Sequence, residues 1–135
     1  MRIALSLVAV MVLGVGLFFG AILLASESGE VVVLRTTGAD GSRVTRLWLV
    51  DSGGAQFVRT GHSEKGWFRD VRDNPEVELE RAGSTSDRTA VPISDPGVSK
   101  DINEIFAEKY GAADWIVALS GDASHRVVVR LDPRP

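Results

Sequence analysis

The sequence predicts a mainly β protein: a small closed barrel with two or three helices, preceded by one N-terminal transmembrane helix. Three observations lead there. Residues 3–25 form a 23-residue apolar run whose one polar member is Ser6, long enough to cross a hydrocarbon core as a helix. The remainder alternates short β-branched runs with Gly, Asp and Pro punctuation. Those runs number about six in roughly 100 residues, and closing such a sheet on itself removes its edges.

The 135-residue chain is expected to divide into a segment 1–29, the anchor and a short linker, and a single domain 30–135. A cleaved export signal is the alternative for the first segment, although signal cores are usually ~7–15 residues. A buried soluble helix is the third reading. Arg2 before the run and Glu27 and Glu30 after it orient the amino terminus inward. That places the domain outside the cytoplasm on a single-pass anchor, or secreted or periplasmic after cleavage.

"EVVVLRTT" (30–37) is β-branched and reads as a strand, "GADGS" (38–42) as a turn, and "RVTRLWLVD" (43–51) as the partner strand. Val44, Leu47 and Leu49 do not share one parity, which predicts a bulge or burial on both faces. "SGGA" is the next turn and "QFVRT" a third strand, making an antiparallel meander. Residues 63–74 have helical spacing, with Trp67, Phe68 and Val71 on one face. Ser63 is the expected N-cap, and Pro75 forces Asn74 out of helical space. "EVELERA" (76–82) alternates, with Val77 and Leu79 turned inward and Glu76, Glu78 and Glu80 outward. After a turn at "GSTSD", residues 88–93 read as a strand in which Pro92 suggests an edge or bulge. The stretch "SDPGVSKDINEIFAEKYG" carries Val98, Ile102, Ile105, Phe106 and Tyr110 on one stripe, with Gly111 as C-terminal cap. "ADWIVAL" (113–119) fits helix or strand. Residues 124–133 close the domain as a strand ended by Pro133.

Composition narrows the chemistry. The chain has no cysteine, so disulfides, thiolate metal sites and cysteine nucleophiles are excluded. Two histidines far apart, His62 and His125, argue against a transition-metal site. The net charge of −3 does not suit a general nucleic-acid binder. Charge is uneven, however: residues 31–72 hold seven basic side chains against four acidic ones, and residues 76–114 hold four against nine. A local basic cluster suits a small anion, or else forms a solvated strand face. No nucleophile–base–acid constellation or phosphate-loop motif is present. His62 reads as a loop histidine or a proton donor beside a pocket, and Tyr110 as core.

The functional signal is collective. Arg59, Thr60 and Gly61 stand where the third strand gives way to a loop leading to a helix N-terminus, an arrangement that favours anions. Arg43 follows a turn, and an arginine fork can hold a phosphate bidentately. Trp67 can stack on a planar ring or plug the core. Arg69 and Arg72 lie on the same helix.

The order "RTTG-x-x-G-x-R-x-T-x-LW", "FVRTG", then "GW" and "NPEVEL", with "EIFAEKYG" and "RVVVRLDP" later, resembles the flavin-binding split-barrel superfamily. It is most similar to the branch of deazaflavin-dependent nitroreductases and related small domains. The resemblance runs over residues 31–133. It implies a split β-barrel, a homodimer with the site near its interface, and FMN or a deazaflavin cofactor that transfers a hydride while the protein positions it. Carried over by position, the cofactor-binding residues are Arg43, Thr45, Arg59, Thr60 and Gly61, with Trp67 and Arg72 as neighbours. The chain departs from the nitroreductase pattern in the short "GADGS" turn, at Arg46-Leu47, and at residues 60–63. A non-catalytic split-barrel module binding a ligand or partner is the alternative.

Overall fold

Alternation decides the architecture. In the computed structural model, strands β1 (Val31–Gly38), β2 (Gly41–Ser52) and β3 (Ala55–Thr60) form the expected meander, and β4 (Glu76–Arg81), β5 (Ser84–Pro92) and β6 (Val127–Pro133) complete it. The strands are hydrogen-bonded in the order β1-β2-β3-β6-β5-β4, with β4 returning to β1, so the barrel closes and every pairing is antiparallel. Helices α1 (Arg2–Glu27), α2 (Gly66–Asp73), α3 (Pro96–Tyr110) and α4 (Ala112–Leu119) accompany it. The structure describes residues 2–27, 29–61, 65–119 and 126–135, with side chains left out at 2, 19–27 and 116–118.

The barrel interior is filled by Val32, Leu34, Leu49, Val58, Val77, Leu79, Ala90, Val129 and Leu131, and α2 adds Trp67, Phe68 and Val71 to the same core. A second core lies outside the sheet, where Val50, Phe57 and Val128 meet Ile102, Phe106, Tyr110 and Ala113 of α3 and α4. The mismatched parity in β2 is therefore two-sided burial: Leu49 faces inward and Val50 outward, and the register with β1 continues unbroken. Val44 is exposed.

Local chemistry places the helices. Asp95 caps α3, its carboxylate accepting from the Gly97 and Val98 amides at 2.8 and 3.3 Å, and Pro96 occupies the first turn, where its missing N–H costs nothing. Gly111 ends that helix with φ 51°. Within the expected stripe, Ile102, Phe106 and Tyr110 are buried, while Val98 remains exposed. Residues 113–119, ambiguous between helix and strand, lie in α4. Helix α2 stops where expected: Asn74 is extended (φ −140°) before Pro75. It starts later than expected, with Lys65 at the N-cap position and no side-chain cap bond; Ser63 and His62 lie outside the described residues.

Two local expectations are corrected. The "GSTSD" turn shrinks to Ala82–Gly83, both with positive φ (50° and 80°), because Arg81 pairs with Ser84 and the following residues extend β5. Two left-handed residues match the twist of a tight hairpin. Pro92 marks neither an edge nor a bulge; it is the last residue of β5 and faces Val129. Its missing donor coincides with the strand end.

The larger correction concerns the first segment. It is helical, and its apolar side chains from Ile3 to Phe18 are exposed. Yet among the described residues no helix is long and apolar enough to cross a membrane. The expected location, single-pass with the domain outside the cytoplasm or else secreted or periplasmic, is overturned, and the expected transmembrane anchor and its membrane partner are unsupported. Helix α1 lies beside α4.

One end of the barrel is closed by ions. Arg81 grips Glu30 through Nε and Nη2 (2.8 and 3.0 Å) and Asp51 through Nη1 and Nη2 (2.8 and 2.7 Å). Lys109 donates to Glu30 and to the Leu49 carbonyl, both at 2.7 Å. The Tyr110 hydroxyl donates to the Glu30 carbonyl at 2.6 Å and accepts from the Leu49 amide at 3.0 Å, while its ring stacks on Trp48 at 4.3 Å. Tyr110 is thus core, as expected.

These bonds make a pH prediction. Hydrogen bonds from Arg81, then Lys109, hold Glu30 below its ordinary 4.5, and the Arg81 bond holds Asp51 below its ordinary 3.8. Carboxylates depressed by folding stabilise above their unfolded pKa, and that stability is lost as pH falls through the folded value. Urea midpoints should therefore drop below about pH 4. The drop should be smaller in Arg81→Ala, and an equal drop would count against the clasp.

Candidate functional site

The opposite end of the barrel holds the polar side chains that a ligand could meet. Thr36 continues the inward-facing series of Val32 and Leu34 on β1. Arg43 and Thr45 lie on β2 with the same parity as Leu49, and Thr60 shares the parity of Val58, which pairs with Leu49. All four therefore belong to the interior face. Thr36 and Thr60 are fully buried, whereas Arg43 and Thr45 are half-exposed.

Asp70 of α2 organises this end. Its carboxylate is buried and accepts from Thr36 Oγ1 at 2.8 Å and from Arg43 Nε at 2.9 Å. Burial pushes the Asp70 carboxyl up, but the bonds from Arg43 and Thr36 and the charge of Arg43 outweigh it and hold the group below its ordinary value. Two glycines make the fit. A Cβ on Gly38 would collide with the Asp70 carboxyl group, and one on Gly66 would sit 2.6 Å from Arg43 Cζ. The guanidinium thus rests on the backbone of the first residue of α2, beside amides that open the helix without a side-chain cap.

The other expected site residues fall elsewhere. Arg59 adjoins Val58 and so projects from the opposite face of the sheet, into the outer core. There its Nη1 donates to Asn103 Oδ1 at 3.0 Å, its Nη2 donates to Asp114 Oδ1, and its Cζ lies 4.4 Å from the Phe106 ring centroid. Burial pulls its pKa below the usual arginine value against the counter-pull of Asp114. Arg43 and Arg59 therefore do not converge on one phosphate. Trp67 is buried in the barrel core, edge-on to Phe68 at 5.9 Å. Gly61 is an exposed bend just past β3. Arg72 is exposed on α2 with its Cζ 5.2 Å from the Phe68 ring centroid.

Asp70 escaped the sequence reading, although a signal existed. It stands three residues after Trp67 and one before Val71, an acid on the buried stripe of a short helix. Such an acid needs a donor. Among the described residues no group of three or more His, Asp or Glu is placed to hold a metal.

The family model described as "Uncharacterized protein conserved in bacteria (DUF2255)" matches residues 23–131. No curated protein matches. Among solved structures, a putative pyridoxamine 5'-phosphate oxidase from Listeria innocua is similar at 19% identity and TM-score 0.61, over 86% of this chain and 93% of that one. The heme storage protein HutZ from Vibrio cholerae is similar at 20% identity and TM-score 0.60, over 86% and 89%. An F420-H2 dependent reductase (FDR-A) is similar at 20% identity and TM-score 0.58, over 76% and 94%. At these identities the likeness concerns the fold, a six-stranded split β-barrel.

Proposed function

Because the chain belongs to the DUF2255 family, proteins described as conserved in bacteria, and has the split-barrel fold, we propose that it binds a phosphate-bearing flavin or deazaflavin cofactor and serves as an oxidoreductase. The observation that carries the reading is the Arg43 guanidinium, held by a buried carboxylate against the first turn of α2. An arginine beside a helix N-terminus that has no side-chain cap is a donor set suited to a phosphate. Arg43, Thr45 and Gly61 would hold the cofactor with that N-terminus, while Thr60 and Trp67 support the wall from the interior. Arg59 and Arg72 are set aside: the first is engaged by Asn103 and Asp114 in the outer core and the second lies over the Phe68 ring. The bound cofactor would supply hydride transfer, and the chain's own task would be to bind and orient it. We place the site near the interface of a homodimer, as the resemblance implies.

The absorbance spectrum of the full chain as purified, followed by titration with FMN and with the deazaflavin cofactor, tests this. Binding within tens of micromolar is expected, and no binding of either would overturn the reading. Arg43→Ala should weaken affinity by about 1.5–3 kcal/mol, as for a charge-assisted hydrogen bond. Light scattering should give twice the monomer mass.

A second reading has its own observation. With Arg59 and Trp67 both committed to cores, this end of the barrel keeps fewer ligand groups than the sequence pattern offers. A non-catalytic module binding a ligand such as haem fits that reduced set. A bound ligand that no reductant can reduce would favour it.

A further inference from the structure

Arg43 is held from two sides. Asp70 takes its Nε edge while Thr36 takes the same carboxylate oxygen, and Gly66 leaves room for the Cζ, Nη1 and Nη2 atoms to lie on the α2 backbone. Arg43 itself is partly exposed, with 38% of its side chain accessible, whereas Asp70 beneath it is closed off at 9%. The buried carboxylate needs a counter-charge, and the cation that supplies it does so through Nε while its side chain stays partly exposed. A long arginine left to solvent loses rotamer entropy when it binds. A fork already fixed at Nε loses little, and its planar Nη end is aimed in one direction.

We propose that Asp70, with Thr36 and the bare backbone at Gly66, is a positioning device that presets the Arg43 guanidinium for the phosphate of the ligand. The inference rests on the cofactor reading above and adds what makes that site selective. Selectivity for a phosphorylated over an unphosphorylated flavin would depend on two residues that do not touch the phosphate through their side chains. Asp70 acts through its bond to Nε. Gly66 acts through the absence of a Cβ, which would force the guanidinium away.

The test uses the full chain and two ligands, FMN and riboflavin, which differ in the phosphate. Two variants probe the two sides, Asp70→Asn and Gly66→Ala. Each is expected to lower FMN affinity about tenfold, the order expected for a weakened charge-assisted bond, with riboflavin affinity unchanged. Gly66→Ala should still fold, since alanine favours the helix and its Cβ meets only the far end of a flexible side chain. Combining either change with Arg43→Ala should add no further loss, because both act through Arg43. Equal losses for FMN and riboflavin would reduce Asp70 and Gly66 to structural roles and overturn the inference. FMN binding that responds to Arg43→Ala but to neither variant would overturn it and leave the cofactor reading standing. FMN binding indifferent to Arg43→Ala would overturn both, and FMN binding absent would overturn the inference while the deazaflavin titration decides the cofactor reading. Should Asp70→Asn fail to fold, Gly66→Ala decides alone.

Discussion

Asp114→Ala is expected to destabilise the chain by about 3–5 kcal/mol, because it leaves the Arg59 charge buried without its counter-ion. Both side chains of this pair are under a tenth exposed, so solvent cannot replace the lost partner. Asn103 would remain on Nη1, but a neutral amide does not compensate a charge. Urea unfolding followed by tryptophan fluorescence measures the loss. A loss below about 1 kcal/mol, the range of surface pairs, would show that water reaches Arg59. Replacing both members by apolar residues of similar volume should recover much of the loss, since a buried pair often contributes little beyond well-packed hydrophobics. FMN affinity should not change, because Arg59 and Arg43 lie on opposite faces of the sheet. That last expectation distinguishes this geometry from a phosphate site shared by the two arginines.

Phe106→Ala is expected to cost a similar ~3–5 kcal/mol, through lost burial and the cavity left behind. Phe106 is fully buried in the outer core. It packs near Tyr110 at 6.1 Å between ring centroids and lies under the Arg59 guanidinium. Its removal therefore strips both an aromatic contact and the cation's covering face. The loss should appear in the unfolding midpoint and also as faster amide exchange in α3 and α4, since this core is what fastens them to the barrel. A stability change under about 1 kcal/mol would mean that the outer core collapses around the gap. A loss confined to ligand binding would contradict the separation of the two cores.

Much of the fold was legible in local pattern. Val77 and Leu79 alternate with three glutamates, and those residues became a strand with one buried face. Asn74-Pro75 ended a helix, Gly111 capped another, and regular short strands pointed to a closed barrel. These features depend on interactions a few residues apart, so their sequence signals are complete within a window. The N-terminal run misled for the same reason. A window measures apolar length, and it cannot weigh that length against what the structure provides. Its helix was legible, and its inferred passage through a membrane is unsupported.

The site was legible only in part. Residue type and order alone pointed to Arg43 and to the loop before α2, because an arginine, a hydroxyl-glycine loop end and a helix start have a chemical preference wherever they stand. Whether Arg43 and Arg59 meet is a matter of parity across two strands and of register, Leu49 against Val58. One residue of slip would have put both arginines on the same face. The partners of those arginines are remote along the chain: Asp70 is 27 residues from Arg43, and Asp114 is 55 from Arg59. The fate of Trp67 was likewise settled by packing, since a tryptophan on an apolar stripe suits a core as well as a ring-binding wall. The chain's linear order was sufficient for the elements and for the chemical character of one barrel end. Which charges face a ligand and which face each other followed from sheet register and burial, because both are properties of pairs that no local stretch contains.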